Sequence, residues 1–376
     1  MIDQKTIDWL RLILIPEIGP RRGKELLKRF SGPGEILDAP QKAIASVLSA
    51  SLAEAIVRQR NSINIKLDEQ LYLIKKHKAK IIAQDDPAYP ENLKNIFDPP
   101  LVLFLRGEIL PEDMLSIAIV GTRMASLYGI NMARKISSQL GQRGFTIVSG
   151  GARGIDSASH QAALKINART IAVLGCGVDE VYPFENIRLF EQIIQKGALV
   201  SEFPMGTRPL RQNFPQRNRI ISGLSLGVVV IEAPMRSGSL ITVSSALEQG
   251  RDVFCVPGQA DSFNMKGSHQ LLKDGAKLVE DADDIMEELS PLLKKEQAAG
   301  HNLPQAGLTG GEAELYSLLS ANPIGLEEIV RQSRKSVSMV SALLTQLEIK
   351  GLTCELPGKR FLLNSPLYSA GEILKD

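Results

Sequence analysis

Residues 203–223 concentrate positive charge in a way that suits a phosphate-rich ligand. The segment contains no acidic residue and four arginines, which are Arg208, Arg211, Arg217 and Arg219. Guanidinium groups near the start of a helix bind phosphate through their paired N–H donors, assisted by the helix dipole. The segment offers no general base and no nucleophile, so its residue types indicate binding before catalysis.

Phe214 lies among these arginines and bears on the kind of phosphate ligand that fits. An aromatic face can stack an unpaired base, a contact worth roughly 1–3 kcal/mol, while cations hold the backbone. The alternative is that Phe214 packs beneath the next helix. Arg217 and Arg219 would diverge by about 200° on a helix. Either Arg217 precedes the helix, or one arginine binds the ligand and the other braces the fold. The candidates in this segment are Arg211, Phe214, Arg217, Asn218 and Arg219.

Three short loops elsewhere each precede a helical pattern. Residues 121–123 and 149–154 follow two consecutive apolar runs, and a Ser-Gly-Ser turn occupies residues 237–239. In such loops backbone amides, a hydroxyl group and a guanidinium group can converge on a phosphate. Asp156, in the first turn after the second loop, is expected to fix an arginine or to cap helix amides. The candidates are Gly121, Thr122, Arg123, Ser149, Gly150, Gly151, Arg153, Gly154, Ser237, Gly238 and Ser239.

Other chemistries lack the residues they need. Gly175-Cys176-Gly177 comes nearest to a dinucleotide motif, but Glu180 stands where the third glycine belongs, and there is no Walker sequence. The three cysteines and four histidines are scattered, without metal-ligand spacing. Asp156 and His160 share a helical face, yet a packed histidine is favoured over an acid–base pair because no nucleophile accompanies them. We expect no catalytic residue, no cofactor and no metal.

The elements that must position these loops follow an alternating pattern. Apolar, β-branched runs are separated by amphipathic stretches of helical length, which predicts βαβ units and a mainly parallel sheet of an α/β fold. Because most of the runs end in glycine or a polar residue, the candidate loops should meet at the carboxyl edge of the sheet. The runs are LVLFLRG, SIAIVG, FTIVSG, TIAVLG, ALVSE, GVVVIEA and DVFCVPG.

Two smaller modules flank this sheet in the sequence. Residues 1–75 predict a helical module whose turn at residues 15–20 is of the helix-hairpin-helix type. That turn either contacts DNA directly or serves packing alone. After a linker over residues 290–308, residues 309–376 predict a winged helix, which leaves residues 76–289 to the sheet. The third helix of the winged helix presents mostly serine, threonine and glutamine, so we expect a protein contact or an accessory role there at least as much as DNA-sequence recognition.

Composition excludes several classes of protein. A net charge of +2 means that affinity for a polyanion must come from local clusters. The cysteines fit a reducing compartment, the amino-terminal residues are unlike a secretory signal, and no apolar run approaches the ~20 residues of a membrane span. We expect a cytoplasmic protein without a membrane partner.

Taken together, these residues resemble the DNA-processing protein A (DprA/Smf) family. The resemblance covers roughly residues 80–285. It implies an extended Rossmann-like domain that binds and protects single-stranded DNA and loads a RecA-type recombinase on it during natural transformation and homologous recombination. It further implies a homodimer, no nucleotide cofactor, and a single-strand-binding protein as a further partner. One departure is Gly151-Ala152, where the family is expected to have Leu-Ala. The motifs are AIVGTR, VSGGARGIDSASHQAAL, TIAVLGCGVDEVYPFEN, SEFPMGTRP, FPQRNRIISGLS and SGSLIT followed by ALEQGRDVFCVPG.

Two alternatives differ in kind from a single-strand binder. The first is a nucleotide-processing enzyme of the phosphoribohydrolase-like Rossmann group, in which a glycine-rich turn is followed closely by a catalytic glutamate. Here the nearest glutamate after the Ser-Gly-Ser turn is Glu248, which is too distant. The second is a duplex-specific regulator that acts through its winged helix. The weakly charged third helix counts against it.

Overall fold

The computed structural model describes residues 3–60, 62–298, 310–319, 324–349, 352–356 and 358–363. The chain forms two compact units. The first comprises Met1–Gly141 and Phe145–Glu288, and the second comprises Gln142–Gly144 and Leu289–Asp376. No helix of the described residues is long and apolar enough to cross a membrane.

Helices alone make up the first part of the chain. Trp9, Leu26 and Ile44 are buried in a core that also takes in Phe104 of the sheet, so these helices pack on one edge of it. The side chain of Gln70 fixes the last helix, because it donates to Met205 O (3.0 Å) and accepts from Met205 N–H (2.8 Å). The helices among the described residues are α1 Gln4–Ile13, α2 Pro20–Leu27, α3 Pro33–Asp38, α4 Gln41–Ala45, α5 Ala50–Arg60 and α6 Asn64–Lys76.

In the described part of the chain, a nine-stranded sheet follows. Its central strands are rich in β-branched residues and are buried on both faces. Its order is β1-β2-β6-β5-β4-β3-β7-β8-β9. Strands β3 to β9 pair in parallel, and only β1 and β2 are antiparallel to their neighbours, which confirms the predicted mainly parallel, Rossmann-like sheet. The strands are β1 Lys80–Ala83, β2 Val102–Gly107, β3 Ser116–Val120, β4 Thr146–Ser149, β5 Thr170–Val173, β6 Ala198–Ser201, β7 Gly227–Val230, β8 Asp252–Cys255 and β9 Lys277–Leu278.

Helices connect the parallel strands and cover both faces of the sheet. Strand β3 lies between β4 and β7, and the chain runs outward from it in opposite directions, through β4 to β6 on one side and through β7 to β9 on the other. The loops after β3 and β7 therefore diverge and leave a crevice at the carboxyl edge. The helices are α7 Glu91–Lys94, α8 Leu127–Gln142, α9 Ile155–Lys165, α10 Ile187–Lys196, α11 Asn213–Leu224, α12 Ser239–Glu248, α13 Lys266–Lys273 and α14 Ala282–Ala298.

Helix α14 covers the first part of the predicted 290–308 linker, and residues 299–308 lie outside the described ones. The predicted boundary at residues 75 and 76 stays a prediction. The second unit contains the predicted winged helix, in which three helices pack on a small antiparallel sheet around Leu315, Ile329 and Leu344. Its elements are α15 Gly310–Leu318, β10 Ile324–Gly325, α16 Leu326–Ser333, α17 Val337–Ile349, β11 Thr353–Leu356 and β12 Arg360–Leu363.

Candidate nucleic-acid interface

An open cleft of about 810 Å³ lies at the carboxyl edge of the sheet. Its walls are the loop after β3, the loop between β7 and α12, and the first turns of α11. This is the point where the chain direction through the sheet reverses, the usual ligand site of open α/β sheets. Four arginines line the cleft, which are Arg123, Arg211, Arg217 and Arg236, and the acidic residue among its lining residues is Asp156. The net charge of the lining residues is therefore positive, which favours binding of an anion.

The loop after β3 presents a guanidinium group rather than free amides. Thr122 N–H donates to Glu232 O (2.7 Å), and its hydroxyl oxygen accepts from Met124 N–H (3.2 Å). Gly121 has no room for a side chain, since a Cβ there would lie 2.5 Å from Ile155. Arg123 is exposed and points its guanidinium group over the Phe214 ring, 5.3 Å from the centroid.

A buried glutamate already occupies the start of the helix that follows this loop. The carboxylate of Glu232 accepts from Ser126 N–H (2.9 Å) and from the Ser126 hydroxyl group (3.2 Å). Sequence reasoning expected these amides to face a phosphate, and the structure instead gives them to the protein's own carboxylate. Arg123 is the part of this loop that remains available to a ligand.

The loop after β4 supports the cleft floor. Gly150 lies against Arg217 and Asp156, where a Cβ would come within 2.5 Å of the guanidinium group and 2.7 Å of the carboxylate. Gly154 has φ +75° and packs on the backbone of Thr122, where a side chain would overlap the carbonyl oxygen. Glycine at position 150 makes room for Arg217 and Asp156, and glycine at position 154 lets the loop after β4 pack on the loop after β3.

The remaining candidates of this loop have separate partners. The Ser149 hydroxyl group is buried and donates to Ile119 O (2.7 Å). Gly151, at φ +66°, accepts from the Asn186 amide through its carbonyl oxygen (2.9 Å). Arg153 is exposed and paired with Glu185, at the edge of a small niche that adjoins the cleft. Of these three, only Arg153 can reach a ligand with its side chain.

Arg217 is a buried cation beneath the cleft. Its Nη1 donates to Gly150 O (2.7 Å) and to Val173 O. Burial lowers the pKa of the Arg217 guanidinium to about 10, an effect opposed by the nearby Asp156 carboxylate. Burial raises the pKa of the Asp156 carboxyl group, whereas the nearby Arg217 guanidinium group lowers the pKa of Asp156. The Asp156 carboxylate also accepts a hydrogen bond from Ala152 N–H (3.2 Å). The Asp156 carboxylate thus ties down the loop before α9 and acts on Arg217 through charge alone, without capping an amide of that helix.

Two aromatic rings stand on this floor. Phe214 is half-buried, lies 5.9 Å from the Arg217 guanidinium group, and packs over Gly175. The Tyr182 ring lies 5.7 Å from it at an interplanar angle of 43°. Phe214 is thus partly exposed to the cleft and not covered by a helix.

Arg219 points to the opposite side of α11. It donates to Asp98 O (2.7 Å) and forms a buried ion pair with Glu202, with Asp98 Oδ2 at 3.8 Å. Both arginines lie inside the helix, so Arg217 does not precede it. The structure therefore agrees with the second alternative raised by their spacing. Arg217 lies beneath the cleft, and Arg219 braces the fold.

The third wall of the cleft is the turn before α12. The hydroxyl groups of Ser237 and Ser239 lie 2.7 Å apart, and Gly238 O accepts from the Asn218 amide (3.1 Å). Arg211 and Arg236 are exposed and line the two rims. These contacts bring the turn, α11 and the loop after β3 around one space.

Sequence reasoning missed Arg236 and Tyr182. Arg236 directly precedes the Ser-Gly-Ser turn, and a cation beside a helix start was the signal used elsewhere in the chain. Tyr182 belongs to the VYPFEN motif, but no periodicity places that loop beside Phe214. Its position depends on the strand order, which follows only from the fold.

The titratable groups near the cleft have structural partners. His160 is fully buried, and its Nδ1 lies 2.7 Å from the Thr170 hydroxyl oxygen. Burial lowers the pKa of His160 to about 3, so the imidazole is neutral and inaccessible to a ligand. Among the described residues, no group of three or more His, Cys, Asp or Glu side chains could hold a metal ion.

Fold and site together define a Rossmann-like, anion-binding protein that also carries a winged helix. A family model described as DNA recombination-mediator protein A matches residues 80–290, and a DprA winged helix domain model matches residues 299–359. The chain belongs to the DNA recombination-mediator protein A (DprA/Smf) family.

Individual relatives agree with this assignment. Protein Smf of Synechocystis sp. is 36% identical over an alignment of 406 residues that covers 96% of this chain and 99% of the relative. The X-ray structure of DNA processing protein A from Streptococcus pneumoniae is 35% identical, with a TM-score of 0.66 over 75% of this chain and 97% of that chain. DNA processing protein A from Helicobacter pylori, whose structure concerns its single-stranded DNA binding mode, is 27% identical, with a TM-score of 0.51 over 58% of this chain and 97% of that chain.

Proposed function

We propose that this protein binds single-stranded DNA in the cleft and acts as a recombination mediator in natural transformation and homologous recombination. The observation that carries the proposal is the arrangement around Phe214, whose ring lies 5.3 Å from the Arg123 guanidinium group and 5.9 Å from that of Arg217. Arg123 is exposed and can move onto a phosphate, which frees a ring face for a base. Arg217 stays fixed and supplies charge from below.

The geometry favours an unpaired strand over a duplex. Phe214 is half-buried at the floor of a concave cleft. A base that is splayed out of a single strand can reach such a ring, whereas a base inside a duplex is already stacked on both faces. The single-stranded DNA binding mode of the H. pylori relative supports binding of a single strand.

Fluorescence anisotropy with labelled single- and double-stranded oligonucleotides of equal length, without nucleotide, tests this proposal. We expect a single-strand preference, and Phe214→Ala should weaken single-strand binding about 5- to 150-fold, the value of one base stack. Lys165→Ala is the control, because that exposed lysine ends α9 at the opposite edge of the sheet. Equal or tighter binding of the duplex would refute the proposal.

We propose further that the protein loads a RecA-type recombinase on this DNA, works as a homodimer, and meets a single-strand-binding protein on the same strand. The support for these partners is membership of a family of recombination mediators. The assay is DNA-dependent ATP hydrolysis by the recombinase on a strand coated with single-strand-binding protein. Addition of this protein should shorten the lag, and Phe214→Ala should not. An unchanged lag would contradict loading, and sedimentation as a monomer at micromolar concentration would contradict the dimer.

The proposal includes no catalytic step. Glu232, the buried glutamate nearest to the turn before α12, has its carboxylate engaged by Ser126, and Glu248 is the last residue of α12. Neither position fits the catalytic glutamate of the phosphoribohydrolase-like group. Release of free base from a nucleoside monophosphate by the purified protein would revive that alternative.

A further inference from the structure

A second aromatic ring surrounded by cations lies outside the cleft. Phe97 is 74% exposed, with the Arg21 guanidinium group 5.3 Å and the Lys24 ammonium group 5.8 Å from its ring centroid. Lys24 is held in place because its Nζ also donates to Phe97 O (2.8 Å). We call these three residues, Arg21, Lys24 and Phe97, the Phe97 platform. A large apolar ring kept in water beside two cations has the composition of a base-stacking site.

An open cavity of about 340 Å³ adjoins the platform. The turn before α2 forms one wall, with Arg21 and Arg22, and α11 forms another, with Gln216 and Arg219. The acidic lining residues are Asp98, which is ion-paired, and Glu17, whose Oε2 has no hydrogen-bond partner among the described residues. Asp98 lies 3.5 Å from Arg21 and 3.8 Å from Arg219, and Glu17 accepts from the Gln59 amide (2.7 Å). With Lys24 counted and Glu202 set against Arg219, four cations face three carboxylates, so the surface keeps a net positive charge that favours an anion.

Helix α11 connects this cavity with the cleft. Phe214 and Pro215 line the cleft, while Gln216 and Arg219 line the second cavity. Residues 215 and 216 are neighbours, so the linings of the two sites meet along α11, a helix about 10–12 Å wide with its side chains. Gln212, Pro215 and Gln216 are exposed between them. A strand leaving the cleft can therefore cross the exposed side of α11 without a barrier of like charge.

We propose that a single strand bound in the cleft continues across α11 and stacks a second base on Phe97, with Arg21, Arg22 and Lys24 against its phosphates. This inference rests on the proposed single-strand binding and extends it to the amino-terminal helices. It gives the first turns of α2 a direct role in nucleic-acid binding. The footprint of one protomer is then longer than the cleft, and the strand runs from the sheet edge towards α2.

Oligothymidylates of about 3 and about 16 nucleotides separate the two sites, because about 3 nucleotides cover roughly 10 Å, no more than the width of α11 with its side chains. Phe97→Ala should weaken binding of the longer strand at least about five-fold, the lower value of one base stack, and leave the shorter strand unchanged. Lys24→Gln should reduce the salt slope for the longer strand alone, by about 0.7. Both side chains lie at the surface, and thermal unfolding verifies that the variants fold.

Tyr72→Ala is the matched control, because Tyr72 is 64% exposed beneath Lys76 and belongs to neither cavity lining. It should bind both strands as the unmodified protein does. If Phe214→Ala weakens both lengths while Phe97→Ala weakens neither, the platform is refuted and the cleft stands. If Phe214→Ala also changes nothing, the proposed function itself fails. If Phe97→Ala weakens binding of both lengths equally, the short strand also contacts Phe97. That result refutes the proposed path, in which the strand fills the cleft first and reaches Phe97 only when it is longer.

Discussion

The charge of the cleft leads to a quantitative prediction for Arg236, the rim arginine that sequence reasoning missed. Arg123, Arg211 and Arg236 are exposed, whereas the buried Arg217 is offset by Asp156. Three free cations should release counterions with a slope of log affinity against log salt of about −2.1, at about 0.7 per phosphate contact on a single strand. Arg236→Ala should reduce the slope to about −1.4.

The assay is anisotropy with a 5′-phosphorylated oligothymidylate of about 3 nucleotides, which keeps three phosphates but, at roughly 10 Å, is too short to reach the Phe97 platform from the cleft. Between 50 and 200 mM salt, the unmodified protein should lose about 18-fold in affinity and Arg236→Ala about 7-fold. Lys165→Ala, at the far edge of the sheet, should keep the original slope. If Arg236→Ala has the unmodified slope and affinity, then Arg236 contacts no phosphate and the outline of the site is wrong.

Three further predictions concern the groups beneath the cleft. Arg217→Ala should lower the free energy of unfolding by about 1–3 kcal/mol, because it removes the donor to the buried Gly150 and Val173 carbonyl oxygens and the cation that lowers the pKa of Asp156; urea denaturation should show part of the loss restored by adding Asp156→Asn, and no restoration would exclude the Asp156 charge as a source of the loss. His160 is buried neutral with a pKa of about 3, so its contribution to stability is present above the unfolded pKa of ~6.5 and is lost as the pH falls towards 3. Between pH 7 and pH 5 this loss is about 2 kcal/mol, and denaturation of His160→Gln should show a decline smaller by that amount, whereas an equal decline would exclude His160 as the source. Gly154→Ala should destabilise the protein by at least about 1–2 kcal/mol, the cost of a side chain at positive φ, and should weaken single-strand binding through the displaced Thr122; full affinity in a folded variant would show that the two loops need not pack closely.

The meeting of the candidate loops at one edge could be predicted from the sequence because one rule of parallel sheets was enough. The loops containing Arg123 and Ser237 follow strands of one parallel sheet, so both lie at its carboxyl edge, and α11 brings Phe214 to the same edge. This required only the identification of apolar β-branched runs and their direction. Neither the order of the strands nor the side-chain packing was needed for that step.

Side-chain direction could not be predicted in the same way. Arg217 and Arg219 have the same type and neighbouring positions, yet one lies beneath the cleft and the other pairs with Glu202. Helical geometry predicts that they diverge, but which one faces the ligand depends on the element against which α11 packs. The capping of α8 by Glu232 was equally inaccessible, because the two are 106 residues apart in the chain.

Helix α11 also accounts for polyanion binding by a protein whose net charge is only +2. A buried arginine costs desolvation, which is visible in the pKa of Arg217, but its partners hold it in one orientation before a ligand arrives. A phosphate that reaches the cleft therefore meets a cation whose side-chain entropy has already been lost. Arg219 fixes the other side of the same helix to Asp98, next to Phe97 and the amino-terminal helices. The positive charge of the cleft is thus local, with Arg217 fixed beneath it and Arg123, Arg211 and Arg236 exposed around it, and the rest of the surface can stay nearly neutral.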